Sequence, residues 1–390
     1  MQALVLFGGQ NARMNELYIG LMSGTSMDGV DGVLVSISAE LGPLCLTVLA
    51  HSHQAFAGPL AAELLALNAP GTDELHRAAL AGNELARVYA RVADALLQAT
   101  GSVPAEVRAI GAHGQTVRHR PGEFDGIGYT LQLLNAALLA ETSGIDVVAD
   151  LRSRDVAAGG QGAPLVPAFH RAFFGVPGKA GAVLNIGGIS NLTALRAEGT
   201  TIGFDCGPGN ALMDHWCLRH TGRPFDDAGA WAASGKVHRP LLQRLASDAY
   251  FAALPPKSTG RDHFNPTWLD GQLRQVVNAD ALPVESVQAT LTELTATVCA
   301  AAVGTHAAES GELLVCGGGA FNSHLMARMA ALLPGVRVAS TGDLGLPPTQ
   351  VEAVAFAWLA RAFVRRECAS LPAVTGASGA RVLGSLNPTG

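Results

Sequence analysis

Twice in this chain a strand, a glycine-rich turn and two more strands open a run of helices, and that repetition restricts the fold more than any single motif does. The first copy runs through 17–22, turns at Ser23-Gly24-Thr25-Ser26-Met27-Asp28-Gly29, returns along 30–37 and adds a strand near 44–50. The second has strands at 180–187, 191–196 and 200–204, with Gly187-Gly188-Ile189-Ser190 at its first turn. Short β-branched runs joined by glycine and hydroxyl residues are hairpin signals. Buried-type strands at 107–112, 145–150, 313–316 and 336–339 alternate with helical stretches at 59–68, 73–98, 286–308 and 350–365. The helical pattern is clearest where Leu85, Val88, Val92 and Leu96 recur at three- and four-residue spacing. Alternation of this kind implies an α/β fold, here duplicated, with a cleft between the copies. At 390 residues the chain exceeds what one core usually supports, which agrees with two domains.

Composition narrows the function. Hydrophobic residues make up 48% and charged residues 15%, which suits large cores and argues against long disorder. A net charge of −6 without any Lys/Arg run argues against a nucleic-acid surface. The six cysteines lie far apart, so buried thiols in a reducing compartment are expected, not a disulfide frame or zinc site. The first ten residues lack a basic region and their apolar run is too short for a signal peptide, and no stretch reaches membrane-spanning length. A soluble cytoplasmic protein is the expectation. Residues 1–13 precede Met14 and read as a dispensable extension, and the tail 369–390 reads as weakly structured.

Several stretches could carry chemistry. The turn from Gly24 through Thr25, Ser26, Met27, Asp28, Gly29 and Val30 to Asp31 offers backbone N–H groups that suit a phosphate. Asp28 and Asp31 would repel a bare anion, so they hint at a divalent cation; the alternative is an ordinary surface hairpin. Gly187, Gly188 and Ser190 could form a second phosphate turn or a plain Gly-Gly hairpin. Gly317-Gly318-Gly319-Ala320-Phe321-Asn322 follows a buried strand and opens a helix, where small residues admit a phosphate or a flat ring, or merely tight packing. Neither a Walker loop nor a G-x-G-x-x-G fingerprint occurs. Asp205, at a strand end before Cys206-Gly207-Pro208-Gly209-Asn210, could serve as a general base or as a turn aspartate. His113-Gly114-Gln115-Thr116 could meet a ligand or end a strand. Arg152, Arg154 and Asp155 could bind an anionic group or pair with one another at the surface. Glu352, on an otherwise apolar helix, reads as exposed from sequence alone.

The ordered set of motifs at 20–31, 113–116, 150–167, 185–191, 204–210 and 317–322 resembles the anhydro-N-acetylmuramic acid kinases over residues 17–366. That family belongs to the sugar kinase, actin and Hsp70-like superfamily, with ribonuclease H-like domains. The resemblance implies a domain I of 14–151 plus 350–366, a domain II of 152–349, and ATP with Mg²⁺ between them. It implies a homodimeric, ATP-dependent enzyme of cell-wall recycling that opens 1,6-anhydro-N-acetylmuramic acid with water and phosphorylates O6. Asp205 would then be the base. The turns at 24–31 and 187–190 would hold phosphates, and Gly317, Gly318, Gly319 and Asn322 the adenosine side. Ser23, His113, Thr116, Arg154 and Glu352 would contact the sugar, Glu352 being placed at the site by the resemblance alone. Superfamily members carry an aspartate within each phosphate-turn strand, whereas Met22 or Ser23 and Asn185 stand here. The metal position is accordingly left among Asp28, Asp31 and Asp205. Competing expectations are an ordinary sugar kinase without ring opening and a nucleotide-binding protein without transfer activity.

Overall fold

The computed structural model describes residues 15–24, 27–38, 44–260, 263–276 and 282–390, so the expectations for 1–13, Thr25 and Ser26 lie outside the described residues. The chain divides into two compact units, one comprising residues up to Phe173 together with Gln350–Gly390, the other Phe174–Thr349.

Unit 1 is built on β1 (Asn15–Met22), β2 (Gly29–Ser38), β3 (Leu46–Ala55), β4 (Val107–Ala112), the hairpin β5 (Gln115–Pro121) and β6 (Gly128–Leu133), and β7 (Val147–Ala149). Unit 2 carries β8 (Gly181–Ile186), β9 (Ile189–Leu195), β10 (Thr201–Pro208), β11 (Glu312–Cys316) and β12 (Arg337–Ser340). The chain returns to unit 1 with β13 (Ser385–Asn387). The first sheet is ordered β13-β7-β4-β1-β2-β3 and the second β10-β9-β8-β11-β12. In both, an antiparallel three-strand meander meets a parallel strand beside its first member: β4 lies parallel to β1, and β11 parallel to β8. This shared topology establishes a duplicated α/β arrangement.

Each sheet buries its own core. In unit 1, Leu85, Tyr89, Val92 and Leu96 on the helix Glu74–Thr100 pack with Ile19, Leu21, Leu34 and Ile110. In unit 2, Leu291, Leu294 and Val298 of the helix Val284–His306 pack with Leu184, Ile186, Leu313 and Val315. Each such side chain contributes about 1.5–3 kcal/mol by leaving water. The helix Val351–Val364 lies directly on β1 and β4 because both strands have glycine beneath it. A Cβ on Gly20 would strike the Ala353 backbone, and one on Gly111 the Phe356 backbone. This close approach carries Glu352, in the first turn of that helix, to the strand ends where the unit 1 site lies.

The structure departs from the expected boundaries in physical ways. The division follows Phe173 rather than 151, because the helix Val166–Phe174 sets Phe169 against Trp358, with ring centroids 6.1 Å apart. The tail is ordered: Ala369, Val374, Ala377 and Leu383 are buried, and β13 pairs with β7. The β5–β6 hairpin was not expected, since the polar β5 carries no apolar alternation, although Tyr129, Leu131 and Leu133 of β6 do alternate. All six cysteines are free thiols, yet Cys45 and Cys368 are exposed, lying just before β3 and just after the long C-terminal helix.

Candidate active site

In unit 1 the β1–β2 turn is anchored from below by a buried network. The Tyr89 hydroxyl donates to Ser23 Oγ at 2.8 Å, and Ser23 Oγ donates to the Gly114 carbonyl at 2.9 Å. A serine hydroxyl has one proton, so the second bond fixes the direction of the first. Burial pushes the Tyr89 phenol well above its ordinary pKa and keeps it a donor. Ser23, 1% exposed, therefore holds the turn in place instead of facing a sugar. Gln115 Nε2 donates to the Gly24 carbonyl at 3.1 Å, and its Oε1 has no hydrogen-bond partner among the described residues although Gln115 is fully buried.

His113 links this turn to an arginine. Its Nδ1 lies 3.1 Å from the Ser23 carbonyl, while its Nε2 accepts from Arg152 Nε at 3.2 Å and Nη2 at 2.9 Å. A guanidinium only donates, so Nε2 is unprotonated and the proton sits on Nδ1. Burial first, and the Arg152 charge second, depress the His113 pKa to about 3. The imidazole is a neutral strut at physiological pH, not an acid–base group. Arg152 also donates to the Gly162 carbonyl at 2.8 Å, which fixes the 158–162 loop. Asp155, for which pairing at the surface was one of two alternatives, is fully buried, accepting from Gly162 N at 2.8 Å and from Thr375 Oγ1 at 2.9 Å. Arg154, one helical position away, is exposed.

Glu352 is half-buried rather than exposed. Desolvation raises its pKa, the Arg152 charge opposes that rise, and the Asp31 carboxylate adds to it. Those three groups thus share one electrostatic neighbourhood within unit 1. Asp31 is held by two imidazoles, His51 Nε2 and His53 Nδ1, each 3.1 Å from the same Oδ1. They sit on β3, where His53 pairs directly with Asp31. Val30 turns its side chain into the core, and Gly29 packs against the Gln54–Ala55 backbone, so neither offers a side chain to a ligand. Met27 has φ 56° and donates its N–H back to the Gly24 carbonyl at 3.3 Å.

In unit 2 the corresponding turn joins β8 to β9. Its carbonyls are tied down, Gly187 O accepting from Asn210 N at 2.8 Å and Gly188 O from Gly209 N at 2.9 Å. Ser190 is fully buried and donates to the Gly207 carbonyl at 3.1 Å, so its hydroxyl braces the fold and is not offered to a phosphate. The glycine run follows β11, with φ 78° at Gly317; a Cβ there would strike Asn185 and the Ile186 backbone. Asn322 caps the helix Ser323–Leu332, its Oδ1 accepting from Leu325 N at 2.9 Å.

Asp205 lies on β10 where the register with β9 shifts between Asp205 and Gly207. A bulge re-aims a side chain in this way. Its Oδ2 accepts from Thr259 N at 3.0 Å, and its carbonyl accepts from the Tyr250 hydroxyl at 2.7 Å. Lys257 packs nearby, Nζ 4.6 Å from the Tyr250 ring centroid, with its pKa lowered by desolvation. A half-exposed carboxylate oriented by the Thr259 N–H is suited to accept a proton from water.

The sequence matches the family model described as Anhydro-N-acetylmuramic acid kinase over residues 16–389. It is 61% identical to the anhydro-N-acetylmuramic acid kinase of Variovorax paradoxus over 378 residues, covering 96% of this chain and 99% of that one. It is 59% identical to that of Albidiferax ferrireducens, covering 96% and 100%. The chain belongs to the anhydro-N-acetylmuramic acid kinase family. Among solved structures, a Clostridium difficile 2-hydroxyisocaproyl-CoA dehydratase activator with bound ADPNP aligns at TM-score 0.45 and 12% identity, covering 87% of this chain and 92% of that one.

For a kinase of this family, sequence reasoning omitted Tyr89, which carries the first turn, and the Tyr250–Lys257–Thr259 segment that seats Asp205. Neither has a local signal, since each reaches its partner over tens of residues. Among the described residues no group of three or more His, Cys, Asp or Glu is placed to hold a metal ion. Magnesium keeps most of its waters and needs only one or two carboxylates beside substrate phosphates, so that finding is compatible with its use.

Two buried histidines make stability pH-dependent. His113 and His170 are both depressed to about 3, chiefly by desolvation. Between that value and the unfolded pKa near 6.5, the unfolded chain binds more protons, so stability rises with pH there and levels off above 6.5. Denaturant unfolding is expected to lose about 2–3 kcal/mol between pH 7.5 and 5.5, from about 1.4 kcal/mol per histidine. Equal stability at the two pH values would contradict the burial of both rings.

Proposed function

We propose that this chain catalyses the reaction for which its family is named, ATP-dependent phosphorylation of 1,6-anhydro-N-acetylmuramic acid with hydrolytic opening of the anhydro ring. The observation that carries the residue assignment is Asp205, a half-exposed carboxylate on a bulge, oriented by Thr259 N. In this reading Asp205 takes a proton from water, and the water oxygen forms a bond to the anomeric carbon. The C1–O6 bond breaks, O6 takes the γ-phosphoryl group, and N-acetylmuramate 6-phosphate and ADP leave.

Thr116 and exposed Arg154 contact the sugar, Arg154 pairing with the lactyl carboxylate, which its fork geometry suits. His113 and Ser23 position this region from behind, as their buried hydrogen bonds require. Glu352, with its raised pKa, faces the same charge set and is assigned to a sugar hydroxyl. Phosphates are held by backbone N–H groups of the 24–28 and 187–188 turns, and the adenosine side by Gly317–Gly319. Mg²⁺ fits Asp28, which is exposed at the turn. The ion would neutralise phosphate charge during transfer. Asp31 fits less well because two imidazoles already engage it. The reading places the protein in the cytoplasm, as a homodimer, recovering sugar from cell-wall turnover. No helix among the described residues is long and apolar enough to cross a membrane.

Phosphoryl transfer measured with Mg-ATP on the anhydro sugar and on free N-acetylmuramic acid tests the assignment. Preference for the anhydro sugar is expected. Preference for the free sugar would make this an ordinary sugar kinase.

A further inference from the structure

Three hydrogen bonds to Asp205 come from one short stretch of unit 2, residues 250–259. The Tyr250 hydroxyl donates to the Asp205 carbonyl at 2.7 Å, Asp205 N donates to the Lys257 carbonyl at 3.3 Å, and Thr259 N donates to Oδ2 at 3.0 Å. The same stretch grips the chain on either side of that residue. Phe251 packs on Gly207, where φ is 148° and a Cβ would strike the phenyl ring. Lys257 Nζ lies 5.8 Å from the Phe204 ring centroid. The β10 bulge that aims the Asp205 carboxylate is therefore braced on both sides by a single loop.

Lys257 closes that loop. Its ammonium donates back to the carbonyls of Tyr250 at 3.1 Å and Phe251 at 3.4 Å, in the short helix Ala249–Ala252, and lies 4.6 Å from the Tyr250 ring centroid. Carbonyls at a helix C-terminus lack partners within the helix, and a lysine supplies them with donors. A cation over an aromatic face adds to the attraction. An ammonium has three donors. Two of them engage these carbonyls and the charge lies over two rings, so Lys257 serves the loop rather than a phosphate. The start of the loop has an anchor of its own. Asp248 accepts from Tyr250 N at 3.0 Å and from Trp268 Nε1 at 3.0 Å, and Phe251 stacks on buried Phe264 with centroids 5.4 Å apart. Removing the ammonium frees the far end of the loop and leaves this aromatic cluster in place.

We propose that Lys257 and Tyr250 are positioning residues for the reaction: by closing the 250–259 loop and tying it to the β10 bulge, they hold the Asp205 carboxylate on the water it deprotonates. The inference rests on the reading of Asp205 as the base and adds to it the groups that aim that base. Misplacing a reacting group by about 1 Å costs about 100-fold in rate. An open loop thus lowers turnover while the substrates still bind.

A double-mutant cycle on the full chain tests this. Lys257→Met keeps the apolar stem and removes the donors; Tyr250→Phe keeps the ring and removes the hydroxyl that reaches the Asp205 carbonyl. Lys257→Met is expected to lower kcat on the anhydro sugar about tenfold or more and Tyr250→Phe several-fold, with KM for the sugar and ATP affinity within about twofold of wild type. Placed on Asp205→Asn, either substitution is expected to change the remaining turnover by less than about twofold, since no base is left to aim. Effects that multiply in the double variants, weakened ATP binding in Lys257→Met, or wild-type turnover in both single variants would overturn the positioning role. Failure of Lys257→Met to fold would assign the ammonium to stability and overturn its role, with the Tyr250→Phe cycle then deciding for the hydroxyl. Near-wild-type turnover in Asp205→Asn alone would instead overturn the reading of Asp205 as the base, and this inference with it.

Discussion

Asp205→Asn is expected to fold, to bind ATP with unchanged affinity, and to lose at least two orders of magnitude in turnover on the anhydro sugar. General-base catalysis is worth roughly 10²–10⁴-fold, and an amide cannot take the proton. The fold should survive because asparagine Oδ1 can still accept from Thr259 N, and the backbone bonds to Tyr250 and Lys257 do not involve the side chain. Steady-state rates, a thermal melt and nucleotide binding on one preparation separate these effects. Turnover within a few-fold of wild type would remove Asp205 from the chemistry. Loss of ATP binding together with turnover would instead point to a metal or phosphate role for its carboxylate.

Asp155→Ala is the substitution with the largest expected effect on stability. The carboxylate is fully buried, accepts from Gly162 N and Thr375 Oγ1, and ties the 158–162 loop to the C-terminal segment. Removing it leaves a buried N–H and a buried hydroxyl without their acceptor. Each buried donor left unsatisfied costs about 1–3 kcal/mol, so a loss of about 2–5 kcal/mol is expected. Arg152 donates to the Gly162 carbonyl in that same loop, so loosening it should also raise KM for the sugar. Denaturant melts of the variant check the first point and steady-state kinetics the second. A loss below about 1 kcal/mol, the scale of an exposed contact, would contradict the anchoring role.

Much of the fold was legible because periodicity and glycine turns are local. The two hairpin-plus-strand openings, the Glu74–Thr100 helix and the strand Val107–Ala112 all follow from short-range pattern. The β5–β6 hairpin was not, since Arg118, His119 and Arg120 break any alternation and their burial comes from partners elsewhere in the chain. Arg118, for example, pairs with Glu74 at 2.6 Å, forty-four positions away. The tail failed for a related reason. Its β13 is three residues long and gains its order from pairing with β7, a contact no local window contains.

The site shows the same division. Residue types were readable, but the direction in which each side chain points was not. Ser190 and Ser23 stood in turns that suit phosphate, yet both face inward. Asp155 and Arg154 are adjacent in sequence, while the helix Ser153–Ala157 buries one and exposes the other. Gln132 carries no motif at all. Its amide donates to Thr116 and Thr130 within the β5–β6 hairpin, a pairing no local pattern announces.

The central claim is that hydrolysis and phosphoryl transfer occur on one substrate in one turnover. Mass spectrometry of the product formed from 1,6-anhydro-N-acetylmuramic acid and Mg-ATP in ¹⁸O-labelled water tests it most directly. The account predicts a phosphorylated sugar with the label on the anomeric carbon and none in the phosphate. A phosphorylated product that keeps the anhydro ring and carries no label, or ADP formed with labelled free phosphate and intact sugar, would contradict it.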